Sequence, residues 1–316
     1  MKLAFVFPGQ GSQAVGMLNS FADDAAAQDV VRRASDALGQ DLGRLIAEGP
    51  AADLDRTVNT QPSLLAASVA MFAAWRAAGG PMPEVFAGHS LGEYSALVAA
   101  GALRLEDAVP LVRFRAQAMQ DAVPLGTSGM AAILGLDDSA VGAVCARAAQ
   151  ESPGAVVEAV NFNAPGQVVI AGHTAALVRA CELAREAGAK RALPLPVSAA
   201  FHASLLKPAA ERLRARLAET PVQAPSVAVM NNIDVACESD PDRIRDALAR
   251  QVAGPVRWSE LVRRLAEQGV THVVECGPGK VLTGLNRRIV AGITALSVSD
   301  HSSLDEVVRT VLGAQA

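Results

Sequence analysis

Gly88-His89-Ser90-Leu91-Gly92 is a G-x-S-x-G sequence set between a short apolar run, Glu84–Ala87, and a helical pattern that begins near Leu91. A serine at such a strand-to-helix turn is a nucleophile elbow. Flanking residues without Cβ let strand and helix close on each other, and the hydroxyl stands at a helix N-terminus whose N–H groups can stabilise an oxyanion. Glycines and serines also make ordinary loops, so the expectation of a nucleophile at Ser90 rests on its place at that junction. A serine nucleophile needs a base. Five histidines are available: His89, His173, His202, His272 and His301. His89 adjoins the serine and would point elsewhere, His173 lies in a different segment, and His272 opens a strand. His202, in Ser198-Ala199-Ala200-Phe201-His202-Ala203, falls where one segment hands back to another, at an expected cleft. It is the favoured base, with a satisfied structural histidine as the competing reading. No third-member carboxylate stands out; Asp234 and Asp300 qualify only by their order along the chain.

Two further residues bear on chemistry. Gln10 lies in Pro8-Gly9-Gln10-Gly11-Ser12, a Gly-rich turn after the first strand, where ligands of open α/β sheets gather. It could bring an N–H or an amide to the same sheet edge as Ser90, or simply belong to a plain turn. No Gly-Lys-Ser/Thr follows, so a phosphate-binding P-loop is excluded. Arg115 shares one helical face with Ala108, Val112, Met119 and Ala122 and so interrupts an apolar stripe. A buried guanidinium keeps its proton and must find an anion or several acceptors. That partner is either an internal Asp or Glu or the carboxylate of a ligand.

The elements that would position these residues follow from pattern. Leu3–Phe7 and Glu84–Gly88 read as strands, and helical patterns occupy residues 25–48, 62–78, 91–101 and 106–123, with Pro62 suited to a first helical turn. After Gly126-Thr127-Ser128-Gly129 the order becomes strand, helix, strand, strand, helix, strand, that of a ferredoxin-like unit. Residues 126–198 are therefore expected to form a small subdomain inserted into a larger discontinuous domain of residues 1–125 and 199–316. In the large part strands again alternate with helices (Val227–Met230, His272–Cys276, 293–298), which predicts a mostly parallel, helix-covered sheet.

Composition narrows the classes. Of 316 residues, 51% are hydrophobic and 19% charged, which excludes a disordered or fibrous chain. Eight Phe, two Trp and one Tyr leave the core to Ala, Val and Leu and disfavour an aromatic nucleic-acid platform. The net charge of −4 gives no basic footprint for nucleic acid. The longest apolar stretches, such as Leu64–Trp75, fall short of the ~18 residues a bilayer needs, and Leu3–Phe7 is too short for a signal peptide. Cys145, Cys181, Cys237 and Cys276 form no C-x-x-C and read as free buried thiols of a reducing, cytoplasmic compartment.

Four motifs together carry a resemblance: Phe7-Pro8-Gly9-Gln10-Gly11-Ser12-Gln13, Gly88-His89-Ser90-Leu91-Gly92-Glu93-Tyr94, Asn161-Phe162-Asn163, and Glu275-Cys276-Gly277-Pro278-Gly279-Lys280-Val281-Leu282. In this order, and over essentially the whole chain, the sequence resembles the malonyl-CoA:acyl-carrier-protein transacylases of bacterial fatty-acid synthesis. The resemblance implies an α/β-hydrolase-like core with a ferredoxin-like insertion. It makes Ser90 the nucleophile, His202 its base and acid, and the N–H groups of Gln10 and Leu91 the oxyanion hole. It pairs Arg115 with the malonyl carboxylate and has the main-chain carbonyl of Gln251 orient His202, in place of a carboxylate. Phe201 resembles the malonyl-selecting version of its segment in multidomain synthases, and Asn163 would line the cleft. Ala253-Gly254 departs from relatives, which often carry bulkier residues there. The implied reaction is ping-pong transfer from malonyl-CoA, releasing CoA, to the phosphopantetheine thiol of acyl carrier protein, by a monomer with no metal or cofactor. The same chemistry in polyketide synthesis or malonate decarboxylation, and a serine thioester hydrolase, are the alternatives. Lys190, Arg191, Lys280, Arg287 and Arg288 are candidates for guiding an acidic carrier.

Overall fold

In the computed structural model, which describes residues 1–197 and 199–313, nine strands form two sheets among those residues. They are β1 (Leu3–Phe7), β2 (Val85–Gly88), β3 (Ser128–Leu134), β4 (Val157–Ala164), β5 (Gln167–His173), β6 (Arg191–Pro194), β7 (Ala228–Met230), β8 (His272–Cys276) and β9 (Thr294–Val298). The first sheet runs β7-β2-β1-β8-β9 with every pairing parallel. Its central strand, β1, is apolar and buried at all five positions, as expected of a strand covered on both faces. The scarce aromatics are not spread thinly. Phe5, Phe7, Phe72, Trp75 and Phe86 meet in one knot, with ring centroids 5.0 to 6.1 Å apart, between the sheet and the helix Thr57–Ala77. Ala, Val and Leu therefore fill most of the core, but its centre is aromatic.

The second sheet has the order β4-β5-β3-β6 and is antiparallel throughout, the ferredoxin-like arrangement. Its inner face packs on its own two helices, Asp138–Glu151 and Thr174–Glu186. Met130, Val160, Val169 and Ala171 of the same sheet join the main core instead. Backbone bonds also tie β4 to the larger part: Val256 N–H donates to Val160 O (2.8 Å) and Phe162 N–H to Val256 O (3.0 Å). We propose the division at 126–198 as a subdomain on this pattern; its last residue, Ser198, and residues 314–316 lie outside the described residues.

Three local expectations change. The helical pattern 25–48 is two helices, Ala25–Leu38 and Leu42–Glu48, because Gly39 turns left-handed (φ 65°) and Asp41 caps the second. The pattern from Pro62 starts earlier, at Thr57, and Pro62 lies inside the helix. That helix is buried nearly all round, so tertiary burial outweighs the one N–H bond that proline removes. All four thiols are free, but Cys237 is exposed rather than buried.

Candidate active site

The elbow forms where β2 ends and the helix Gly92–Ala99 begins. Ser90 holds φ 52°, a left-handed conformation that costs a serine energy and persists only where its surroundings enforce it. The enforcement is close backbone packing. A Cβ on Gly88 would lie 1.9 Å from the Gly92 carbonyl carbon, and one on Gly92 would lie 2.0 Å from Phe7 O. The turn after β1 is pressed against the elbow too, since a Cβ on Gly9 would meet His89 O at 2.6 Å. Asn232 clamps the turn from β7's side: its Oδ1 accepts from Ser90 N–H (2.7 Å) and its Nδ2 donates to Gly88 O (2.7 Å).

Ser90 Oγ lies 2.7 Å from His202 Nε2, and His202 Nδ1 lies 2.8 Å from the main-chain oxygen of Gln251. A carbonyl only accepts, so Nδ1 carries the proton and Nε2 offers its lone pair to the hydroxyl. Burial, and then the nearby Arg115 charge, push the His202 pKa down to about 3, which leaves a neutral imidazole at pH 7. The two carboxylates considered for a third member are elsewhere. Asp234 takes a two-pronged bond from Arg250 (2.8 and 2.6 Å), and Asp300 accepts from Ser303 N–H (2.7 Å).

Arg115 is buried and meets no carboxylate in an ion pair among the described residues, so the internal Asp or Glu held open above is absent. Its Nη1 donates to Gln61 Oε1 (2.8 Å), and its Nη2 to Gln251 Oε1 (2.9 Å) and Ser90 Oγ (3.1 Å). The guanidinium carbon sits 5.4 Å from the centre of the Tyr94 ring, and Nε is buried without a partner. Burial holds its pKa below the usual value. Behind it, Glu93 Oε2 accepts from Gln251 Nε2 (2.8 Å) and Asn232 N–H (2.9 Å), and burial raises this carboxyl to about 7.

These groups border a cavity of about 110 Å³ that Gln10, Leu91, Arg115 and Phe201 line together with Ser90 and His202. The N–H groups of Gln10 and Leu91 make no hydrogen bond to any described residue. Asn161, not Asn163, lines the cavity; the Asn163 side chain is turned to His89, Oδ1 to Nε2 at 2.8 Å. Two residues apart, they would share a face in a regular strand, but the β4–β5 pairing shifts register between Phe162 and Ala164 and so breaks the alternation there. Ala253-Gly254 has a packing reason: a Cβ on Gly254 would meet Ile233 Cδ1 at 2.5 Å and Arg250 O at 2.9 Å. No group of three or more His, Cys, Asp or Glu placed to hold a metal occurs among the described residues.

Gln61, Glu93 and Asn232 were not foreseen as site residues. Gln61 carried the same signal as Arg115, a polar side chain within a buried apolar helix. Asn232 lies 142 residues from its partner Ser90, and nothing local marks it.

A strained serine bonded to a neutral histidine, with free N–H groups and a buried cation beside it, defines a serine-based acyl-transfer site. The acyl transferase domain family matches residues 4–307, and the chain belongs to that family. It is 54% identical to the malonyl CoA-acyl carrier protein transacylase of Escherichia coli K12 over 307 residues, 96% of this chain and 97% of that one. A crystal structure of an acyl-carrier-protein S-malonyltransferase from Burkholderia pseudomallei 1710b is 64% identical with a TM-score of 0.96, over 98% of this chain and 100% of that one. A malonyl-transacylase solved in complex with a type II polyketide acyl-carrier protein is 47% identical with a TM-score of 0.96, over 98% and 100%.

Proposed function

We infer that the protein is a malonyl-CoA:acyl-carrier-protein transacylase of fatty-acid synthesis, acting through an acyl-serine on Ser90. The observation that carries the malonyl reading is Arg115, a buried cation without a carboxylate partner, whose Nη2 lies 3.1 Å from Ser90 Oγ. In this reading His202 takes the Ser90 proton as the hydroxyl attacks the malonyl thioester, and the N–H groups of Gln10 and Leu91 hold the oxyanion. His202 then gives its proton to the departing CoA thiol. The carrier's phosphopantetheine thiol enters the same cleft, loses its proton to His202 and attacks the acyl-serine. The C–O bond to Ser90 breaks as His202 returns that proton to the serine oxygen, which regenerates the free enzyme. Thioester, ester and thioester lie close in free energy, so neither ATP nor a metal is needed. After burial, the Arg115 charge is what lowers the His202 pKa most. Pairing its charge with the malonyl carboxylate makes the base stronger when the right substrate is present.

The roles given to Gln251, Phe201 and Asn163 follow their places: Gln251 orients His202 through its main-chain oxygen, Phe201 shapes the acyl pocket, and Asn163 steadies His89. In this reading the protein is a cytoplasmic monomer. Lys190, Arg191, Lys280, Arg287 and Arg288 are all exposed and make no ion pair with a described residue, which supports them as the carrier's landing place. A polyketide carrier is the second reading, favoured by the complex of the 47% identical relative. The test is CoA release from malonyl-CoA with and without holo fatty-acid carrier protein. Rapid turnover only with that carrier is expected, whereas equal turnover in water alone would make the enzyme a hydrolase.

A further inference from the structure

Glu93 is 2% exposed, lies three residues past Ser90, and does not line the cavity. Its contacts nonetheless reach the reacting groups through Gln251. A primary amide can sit either way round, and its orientation is set by which neighbours donate and which accept. Gln251 Nε2 faces two groups that only accept, Glu93 Oε2 at 2.8 Å and Ser90 O at 3.1 Å. Gln251 Oε1 is thereby turned to Arg115 Nη2, at 2.9 Å. The opposite orientation would set an NH₂ against a guanidinium and a carbonyl against a carboxylate. With two N–H donors on Oε2, any proton on the Glu93 carboxyl sits on Oε1, so Oε2 accepts in either protonation state. Its bond to Gln251 is shorter than the bond to Ser90 O and contributes more to the choice. The same Glu93 oxygen accepts from Asn232 N–H at 2.9 Å, and the Asn232 side chain clamps the elbow.

We propose that Glu93 is a positioning residue for acyl selectivity: by holding the Gln251 amide in one orientation, it keeps an acceptor on Arg115 and so aims the guanidinium at the carboxylate of the incoming acyl group. The proposal rests on the malonyl reading above. Glutamine at 93 can accept both N–H bonds through its own Oε1. Methionine has similar length and accepts neither.

The test compares kcat/KM for malonyl-CoA and for acetyl-CoA in the wild type, Glu93→Gln, Glu93→Met and Glu93→Asp. Glu93→Met should lower the malonyl-to-acetyl ratio at least about tenfold, chiefly through KM for malonyl-CoA, while Glu93→Gln stays within about threefold of the wild type. An unchanged ratio in Glu93→Met, or equal loss on both substrates, overturns the proposal, because damage to the fold alone would not discriminate between them. If Glu93→Met does not fold, Glu93→Asp decides. It keeps the charge but draws the carboxylate back by one methylene, and the ratio should fall at least about threefold. An unchanged ratio there is equally contrary. A wild type that does not prefer malonyl-CoA would break the malonyl reading itself. The proposal is then judged on crystal structures of the variants: Gln251 turned and Arg115 displaced in Glu93→Met or Glu93→Asp supports it, and both groups unmoved overturns it.

Discussion

Arg115 concentrates what a single side chain does here. In a site closed to water, a guanidinium–carboxylate pair contributes roughly 1.5–3 kcal/mol net, and a stranded carboxylate costs more. Arg115→Ala should therefore lose about 10–100-fold in kcat/KM for malonyl-CoA. Acetyl-CoA has no carboxylate to strand, so its poor reaction should hold or improve. Equal loss on both substrates in a variant with a normal melt would make Arg115 structural. Two buried titrating groups also leave opposite marks on stability. His202 has its folded pKa lowered to about 3, so the unfolded chain binds its proton first as pH falls below ~6.5, and stability is lost from there down to pH 3. Glu93 is raised to about 7, so the folded protein binds its proton first, and stability is gained as pH falls from 7 towards ~4.5. Glu93→Gln removes only the second effect. Denaturant melts should show the wild type gaining on Glu93→Gln between pH 7 and 4.5, at up to about 1.4 kcal/mol per pH unit. Parallel curves would contradict the burial of an ionisable Glu93. Ser90, His202 and Arg115 were legible in the sequence because each breaks a local rule: a serine at a tight junction, a histidine at a hand-over between segments, a charge on an apolar stripe. The third partner of His202 was not legible from the residues, because a main-chain oxygen has no residue type to betray it; only the resemblance pointed to Gln251.

The secondary-structure elements show why the elbow tolerates no side chain at its glycines. Gly92→Ala would drive a Cβ to 2.0 Å from Phe7 O, a backbone atom of the central strand that cannot step aside. Overpacking of this kind costs about 3 kcal/mol or more, so Gly92→Ala should lower the melting temperature by several degrees and abolish acylation. A stable, active Gly92→Ala would show that the elbow is looser than its packing implies. Strands were the more legible elements. β8 is bounded at His272–Cys276, where the sequence places it, and β1 at Leu3–Phe7, because short apolar runs between turn residues leave little choice. Helices were less so. Gly39 divides one apparent helix, and the helix Thr57–Ala77 shows no amphipathic face from which its start could be read. Its buried Thr60 and Gln61 are satisfied by Leu54 O (2.6 Å) and Arg115 (2.8 Å), partners that pattern cannot foresee.

Across the molecule, the parallel sheet supplies Ser90, Gln10 and Leu91 from its strand ends, and the antiparallel sheet roofs the cavity with Met130 and Asn161. The order of elements alone gave both sheets. The register between them was hidden, because it depends on bonds such as Val256 to Val160 and on Arg288 Nη1 donating to Gln167 Oε1 (2.7 Å). That last contact places Arg288 beside the end of the small sheet where Arg191 pairs with Leu134 and Leu134 with Gln167. Basic residues therefore converge there on a chain whose net charge is −4. Exposed charges act mainly on encounter rate and are screened within ~8–10 Å at physiological salt. Transfer to an acidic carrier protein should slow as salt rises, while acylation by a small malonyl thioester that lacks the CoA nucleotide should not. The same salt response in both assays would rule out steering.

The account stands on an acyl group carried by Ser90. Mass spectrometry of the intact protein after exposure to malonyl-CoA should show one malonyl group added, released on adding holo carrier protein, and absent in a folded Ser90→Ala. Malonyl on Ser90→Ala, or a wild type that transfers without ever carrying the group, would contradict it.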